Sequence, residues 1–436
     1  MHQLRVLVSA SVLIVSIGAV WSMPAHAGTY YVRQAGSDGN SGTSPTNAFA
    51  TIGRGASDAR GGDTIIVGPG VYREGDIKSD GNGRREEPVV FFADHRGELT
   101  GDAPGPVMID ATGFDHAFDF SDRPWVVVNG FGIANSEEEG ISIKNISDGC
   151  MVANCAIFSN GRDGIRVRDS LNVVLFNNLI YDNTRHGIEF DGEGTTLRPD
   201  VGSAGGIVIN NTVYANGSDG IRIEQGPPST DMLVINNVIT ENGGKGINLK
   251  EGSAAGFVGQ WNLNTDGYNT SDVARGRLDT GVAPLFIAPA GVDGRLGGPG
   301  FADDDFRLRQ LATGQSVESI AVDASPIRRR KLGMAKAAST RLDGAKDKRG
   351  VDLGFHIGNT TDFVVVLKKK KLNVVPMVQR SFDKRVRQFR SIAVKCEELA
   401  TTARDERRIG TGSCVQTGRR KKLIKTCGNV IEDICR

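Results

Sequence analysis

Between Val126 and Leu249 the chain writes nearly the same stretch five times. VVVNGFGIANSEEEGISI is followed by CMVANCAIFSNGRDGIRV, NVVLFNNLIYDNTRHGIEF, GIVINNTVYANGSDGIRI and MLVINNVITENGGKGINL. Three landmarks recur: a mid-repeat asparagine (Asn129, Asn154, Asn177, Asn210, Asn236), a repeat-end asparagine (Asn135, Asn160, Asn183, Asn216, Asn242) and a Gly-Ile pair (Ile141, Ile165, Ile188, Ile221, Ile247). The mid-repeat asparagines step by 25, 23, 33 and 26 residues, and the step of 33 carries an insert from Gly192 to Gly205. A period in the twenties marks a solenoid. Inside each repeat, short runs of Val and Ile are broken by Asn and Gly, which is strand chemistry rather than helix chemistry.

Coils that stack at about 4.8 Å place equivalent residues in rows. The expected interior rows are Met151, Val174, Ile207, Leu233 and Ile157, Ile180, Val213, Ile239. Cys155, Asn178, Asn211 and Asn237 are expected to form an amide ladder, and Phe158, Tyr181 and Tyr214 an aromatic row. One coil cannot bury its apolar face alone, so neighbours share the stability.

These repeats resemble the right-handed parallel β-helix superfamily that includes the pectate lyases, over Tyr30 to Ile357. The opening segment TYYVRQAGSDGNSGTSPTNAFATIGRGASDARGGDTIIVGPGVYRE resembles that of extracellular β-helix proteins, including polysaccharide lyases of families six and nine. The expected fold is all-β: a right-handed parallel β-helix over 28–358, an N-terminal cap, and a small basic appendage over 359–436. A short helix at Ile52 to Ala59 is expected to close the open end, because an open solenoid exposes apolar surface and strand edges. Later, APLFIAPAGVDG, DDDFRLRQLATG and RGVDLGFHIG continue the resemblance towards a last strand.

Met1 to Ala27 reads as a secretory signal: Arg5, then the apolar run Val6 to Trp21, then Ala25-His26-Ala27 as the cleavage site. The alternative, a membrane anchor, needs a longer apolar run to cross a core of about 30 Å. A secreted, periplasmic or extracellular protein with no membrane span after cleavage is expected. The 436-residue chain has a net charge of +1, but Asp362 to Arg436 holds 19 Lys+Arg against 8 Asp+Glu. That segment is net +11 and leaves the remainder at −10. Blocks of one sign mark interaction tails. The same segment holds Cys396, Cys414, Cys427 and Cys435, an even set that in an exported chain favours disulfides with three possible pairings. A solvated basic extension is the plainer alternative. Cys150 and Cys155 lie too far apart on an extended strand to bond.

Chemistry concentrates around the Gly-Ile pairs, where side chains alternate in and out. The residue before the glycine runs Glu139, Asp163, His186, Asp219, Lys245. The residue after the isoleucine runs Ser142, Arg166, Glu189, Arg222, Asn248, and two further on it runs Lys144, Arg168, Asp191, Glu224, Lys250. Three outward ionisable rows thus share one sheet. The resemblance implies a substrate groove on that sheet, with the 192–205 insert as one wall. His186 between Asp163 and Asp219 is expected to have a raised pKa and to act as a base or acid. His186, Glu189 and Arg222 are the candidate catalytic residues. Arg166, Arg168, Lys245 and Lys250 are candidate substrate contacts, and Asp163, Asp191, Asp219 and Glu224 are candidate Ca²⁺ ligands. Each row also has a plain reading: Arg166, Glu189 and Arg222 as a cross-strand charge ladder, the lysines as solvated edge charges, and His186 as a hydrogen-bonded surface histidine.

Elimination on a uronic acid needs a cation against the C6 carboxylate, a base for the C5 proton and a donor for the leaving oxygen. Family-nine lyases carry a lysine base in Gly-Phe-Lys-Leu; the matching position in GGKGINLKEG is Asn248. Hydrolysis needs two carboxylates about 5–5.5 or 6.5–9.5 Å apart, and one- and two-coil spacings offer both. The polygalacturonase motifs occur only as scraps in another order. The reading is a monomeric protein acting on an acidic polysaccharide, by elimination, with no nucleic-acid motif. The alternative is a non-catalytic glycan-binding or structural surface protein using the same sheet.

Overall fold

The computed structural model describes residues 27–322, except 225, 227–228, 251, 254, 270–278, 298–302, 312–313 and 318, together with Leu353 and Gly354. The secretory signal, the basic tail with its four cysteines, and most of RGVDLGFHIG lie outside the described residues. No helix among the described residues is long and apolar enough to cross a membrane.

The repeats wind into three parallel sheets of nine, eight and six strands, each strand inside a sheet pairing with its equivalents one coil before and after. The nine-stranded sheet runs from Thr29–Val32 to Val258–Gln260, and the eight-stranded sheet from Gly70–Tyr72 to Leu263–Asn264. The six-stranded sheet is built from Phe118–Ser121, Ile141–Lys144, Ile165–Arg168, Ile188–Asp191, Ile221–Ile223 and Ile247–Leu249. Strands this short are long enough because all but the end strands are held on both edges by backbone pairing, which no isolated coil supplies. The corners need left-handed backbone, and asparagine fills it: Asn154, Asn177, Asn210 and Asn236 have φ of 57°, 55°, 60° and 61°.

The core is a column of stacked apolar rows. Ile157, Ile180, Val213 and Ile239 point into it, as the repeat predicts. Met151, Val174, Ile207 and Leu233 do stack in register, but they are not the inward row. The inward row of that sheet is Val152, Leu175, Val208 and Val234. The correction has a physical cause: the strands MVA, VLF, IVI and LVI are apolar at nearly every position, so alternation carries no parity signal.

Asparagine ladders bind the coils. In the inner one, Asn178 Nδ2 donates to Asn211 Oδ1 at 3.0 Å, Asn211 to Asn237 at 3.1 Å, and Asn237 to Asn262 at 3.0 Å. Cys155 starts it, its backbone N–H donating to Asn178 Oδ1 at 3.0 Å. Cys150 and Cys155 are free and buried, and burial pushes both thiols up to about 12. A second ladder joins the repeat-end residues Asn160, Asn183, Asn216 and Asn242. In its first coil the partner is Ser136, whose hydroxyl donates to Asn160 Oδ1 at 2.8 Å, and not Asn135, which donates to Asp110.

The N-terminal helix is Ile52–Ala56, shorter than the eight residues expected, and buries Ile52, Gly55 and Ala56 against the column's end. The Glu74 carboxylate accepts its first free N–H groups, Ile52 at 2.7 Å and Gly53 at 2.8 Å. Near the other end, Phe286–Ala288 and Asp305–Leu308 form an antiparallel pair outside the three sheets. Its Phe286 and Phe306 pack on the outward aromatic row: Phe158 stacks on Tyr181 with centroids 5.0 Å apart, and Phe306 lies 4.8 Å from Tyr181 and 5.3 Å from Tyr214.

Candidate functional site

The outer face of the six-stranded sheet carries the ionisable rows in the register the sequence implies. Ser142, Arg166, Glu189, Arg222 and Asn248 are consecutive partners, and Lys144, Arg168 and Asp191 form the next row. The row before the glycines begins one coil earlier than the repeat showed. Phe118 pairs with Ile141, so His116 stands one coil before Glu139. DHAF is the same pattern as RHGI, with alanine in place of glycine.

The structure adds a fourth row, two residues before the glycines. Glu138, Arg162, Arg185 and Ser218 follow one another coil by coil, each backbone N–H donating to the preceding residue's carbonyl. The signal was present in the repeat, as the residue before each Asp163- or His186-like position. Arg185 matters most of these. Its Nη2 donates to Glu189 Oε1 at 2.8 Å, and its Nε lies 3.6 Å from Asp163.

Glu189 is the hub. It is almost wholly buried under three guanidinium groups: Arg185, Arg166 with Nε at 3.2 Å, and Arg222 with Nε at 3.8 Å. Asp163 is fully buried beside it. Asp163 Oδ2 and Glu189 Oε2 are both buried without a hydrogen bond. Burial, then the negative charge of Asp163, pushes the Glu189 carboxyl up to about 7. Burial likewise raises Asp163. Glu189 Oε2 still faces Arg166 Nε at 3.2 Å, and the two neighbouring carboxyls titrate together rather than singly.

His186 departs from expectation. Its pKa is not raised towards neutrality but lowered to about 4, because burial outweighs Asp219 and the Arg185 charge opposes protonation. Its Nδ1 accepts the Asp219 backbone N–H at 3.0 Å, which places the proton of the neutral ring on Nε2. Nε2 lies 3.9 Å from Glu189 Oε1. His186 is therefore a neutral neighbour of Glu189, and the group poised near neutrality is Glu189.

The four carboxylates expected to hold Ca²⁺ are not gathered into one ligand set. Asp191 meets Arg166 at 2.6 Å and Arg168 at 3.1 Å; Asp219 meets Arg222 at 3.4 Å and accepts from Asn248 at 2.7 Å; Glu224 pairs with Arg222; Asp163 faces Arg185. Each answers an arginine or an amide rather than a common centre. Arg166 is the most enclosed cation, between Glu139, Glu189 and Asp191, while Arg168, Arg185 and Arg222 keep a quarter to a third of their side chains exposed. Lys245 is exposed at the last coil, with its backbone N–H on Asp219 at 2.8 Å, and Lys250 is half-buried. The 192–205 insert flanks the rows: Glu193 pairs with Arg168 at 2.8 Å, and Arg198 clamps Asp148 through both oxygens at 2.9 and 2.7 Å.

Residues 117–261, which hold these rows, match a family model described as the right handed beta helix region. No curated protein sequence matches the chain. Among solved structures, pectate lyase Pel9A is 15% identical, with 75% of this chain and 95% of that one covered and a TM-score of 0.44. A GH136 lacto-N-biosidase from Eubacterium ramulus is 14% identical over 55% of this chain and 57% of its own, with a TM-score of 0.39. An alginate lyase from Paenibacillus sp. str. FPU-7 is 15% identical over 55% and 80%, with a TM-score of 0.34. The parallel registers of the three sheets, together with the family model across the coils that carry the site, make the fold a right-handed parallel β-helix.

Proposed function

We propose that the protein binds an acidic polysaccharide along the outer face of the six-stranded sheet and cleaves it by β-elimination, with Glu189 as the proton-transfer group. The observation that carries this reading is the buried Glu189–Asp163 pair, orphaned at one oxygen each, beneath guanidinium groups that are themselves partly exposed. A uronate carboxylate competes for Arg222 and Arg185, which can hold it through paired N–H groups. Drawing those arginines outward uncovers Glu189. The ionised carboxylate then takes the C5 proton, the C5 electron pair forms the C4–C5 double bond, and the C4–O bond breaks. Glu189 returns the proton to the leaving oxygen. An acid near pKa 7 suits both halves of that exchange. His186, neutral, keeps its Nε2 side towards Glu189 and adds no competing charge.

One observation favours a second reading: each arginine of the rows is already matched by carboxylates, which is how a structural charge ladder or a purely recognising surface looks. The two readings separate on one experiment. The protein is incubated with pectate, alginate and glycosaminoglycans, with and without Ca²⁺, and the unsaturated-uronate absorbance is followed beside a binding assay. Cleavage that Glu189→Gln lowers by about two to four decades supports the lyase. Binding without cleavage, abolished by Arg222→Ala, leaves the recognising surface. No binding to any of these polymers ends both.

A further inference from the structure

We infer that His116, Glu138 and Glu139 form a binding site for a single first-row divalent cation of the Zn²⁺ type, at the early end of the same sheet. One nitrogen or oxygen of each lies within 4.8 Å of the others, and they are the one such group among the described residues. The independent sign of a ligand is His116 itself. It is only 5% exposed, and its Nδ1 is buried with no hydrogen-bond partner. Nδ1 lies 3.4 Å from Glu139 Oε2, longer than an ordinary N–H···O bond. It is also the edge of a tetrahedron whose ligands stand about 2.1 Å from a central ion, the distance zinc keeps to imidazole and carboxylate. An orphaned buried nitrogen costs stability, and a metal at that point satisfies it.

The surroundings fix the ligands without filling the site. Arg166 Nη1 at 3.4 Å and Arg162 at 3.8 Å both lie on Glu139 Oε1, so Oε2 is left for the ion. Arg162 also meets Glu138 Oε1 at 3.3 Å. These are outer partners that orient carboxylates, the usual arrangement around bound metals. The backbone is pinned as well: His116 N–H donates to Asp76 Oδ1 at 3.1 Å and Glu138 N–H to the Asp115 carbonyl at 2.9 Å. Glu138 is half-exposed, so it joins the site to solvent and gives the ion a route in. One imidazole and two carboxylates favour a borderline ion over Ca²⁺ or Mg²⁺, which prefer all-oxygen shells. Three protein ligands leave a fourth position open.

The test is Zn²⁺ titration of the chelator-stripped full chain by calorimetry, with X-ray absorption on the loaded protein. The expected result is one equivalent in a shell of nitrogen and oxygen, with that equivalent weakened at least tenfold in both His116→Gln and Glu138→Gln. Glu138→Gln alters a half-exposed side chain, so it keeps the test valid if His116→Gln fails to fold, which circular dichroism reports. Zn²⁺ binding equal in wild type and both folded variants, or a shell of sulfur alone, overturns the site. Ca²⁺ displacing Zn²⁺ at equal concentration overturns the assignment of ion class.

Discussion

Glu189 and His186 sit within one hydrogen-bonded neighbourhood, yet burial moves their pKa values in opposite senses. Burial disfavours charge, so the carboxyl rises from 4.5 to about 7 and the imidazole falls from 6.5 to about 4. The consequences for stability oppose each other. Glu189 contributes stability that is full below pH 4.5 and is lost as pH rises through about 7, because only the unfolded chain ionises readily. His186 contributes stability that is full above pH 6.5 and is lost as pH falls through about 4. Between pH 4.5 and 6.5 the two slopes offset in the wild type. Melting temperature measured against pH should therefore fall with rising pH in His186→Gln and rise with pH in Glu189→Gln; slopes of the same sign in both variants would refute this. Under the proposed elimination the base must be ionised, so kcat/KM on a cleaved uronate polymer should rise with pH about a midpoint near 7. A midpoint below 5 would point to another base.

The asparagine ladders are the elements that make separate coils into one column. Asn211 is wholly buried; its Nδ2 donates to Asn237 Oδ1 and to the carbonyls of Leu175 and Ile209, and its Oδ1 accepts from Asn178. Asn211→Leu strands several of these groups in a dry interior, and a loss of about 1–3 kcal/mol in chemical denaturation is expected. An unchanged midpoint would show that the ladder contributes nothing net. Outside the column, Phe306 bridges Tyr181, Tyr214 and Phe286. Phe306→Ala should cost about 3–5 kcal/mol if that strand pair unfolds together with the solenoid. A small, separate early transition would instead show that the pair peels away alone.

At the scale of the whole molecule, charge is divided along the chain: net +11 from Asp362 onward and −10 before it. Removing 362–436 should leave the β-helix folded, since the described coils pair without it, and should weaken any salt-sensitive binding to acidic polymers. Unchanged binding at low salt would confine recognition to the arginine rows; an insoluble product would make the tail a cover for the column's open end.

The amino-acid sequence determined the solenoid and the register of the three ionisable rows around the Gly-Ile pairs, because a parallel stack turns sequence period directly into spatial neighbours. It likewise determined the inner ladder from Cys155 to Asn237. It did not determine which way Met151, Val174, Ile207 and Leu233 point, because strands apolar on both faces carry no alternation to read. Nor did it decide the state of His186. Carboxylates on both flanks of a row predict a raised pKa, and only the tertiary structure shows the ring buried beneath Arg185, where loss of solvent outweighs them. The same burial makes Glu189 the group poised near neutrality and leaves Nδ1 of His116 without a hydrogen bond, two facts that depend on how deeply a side chain sits rather than on where it stands in the repeat.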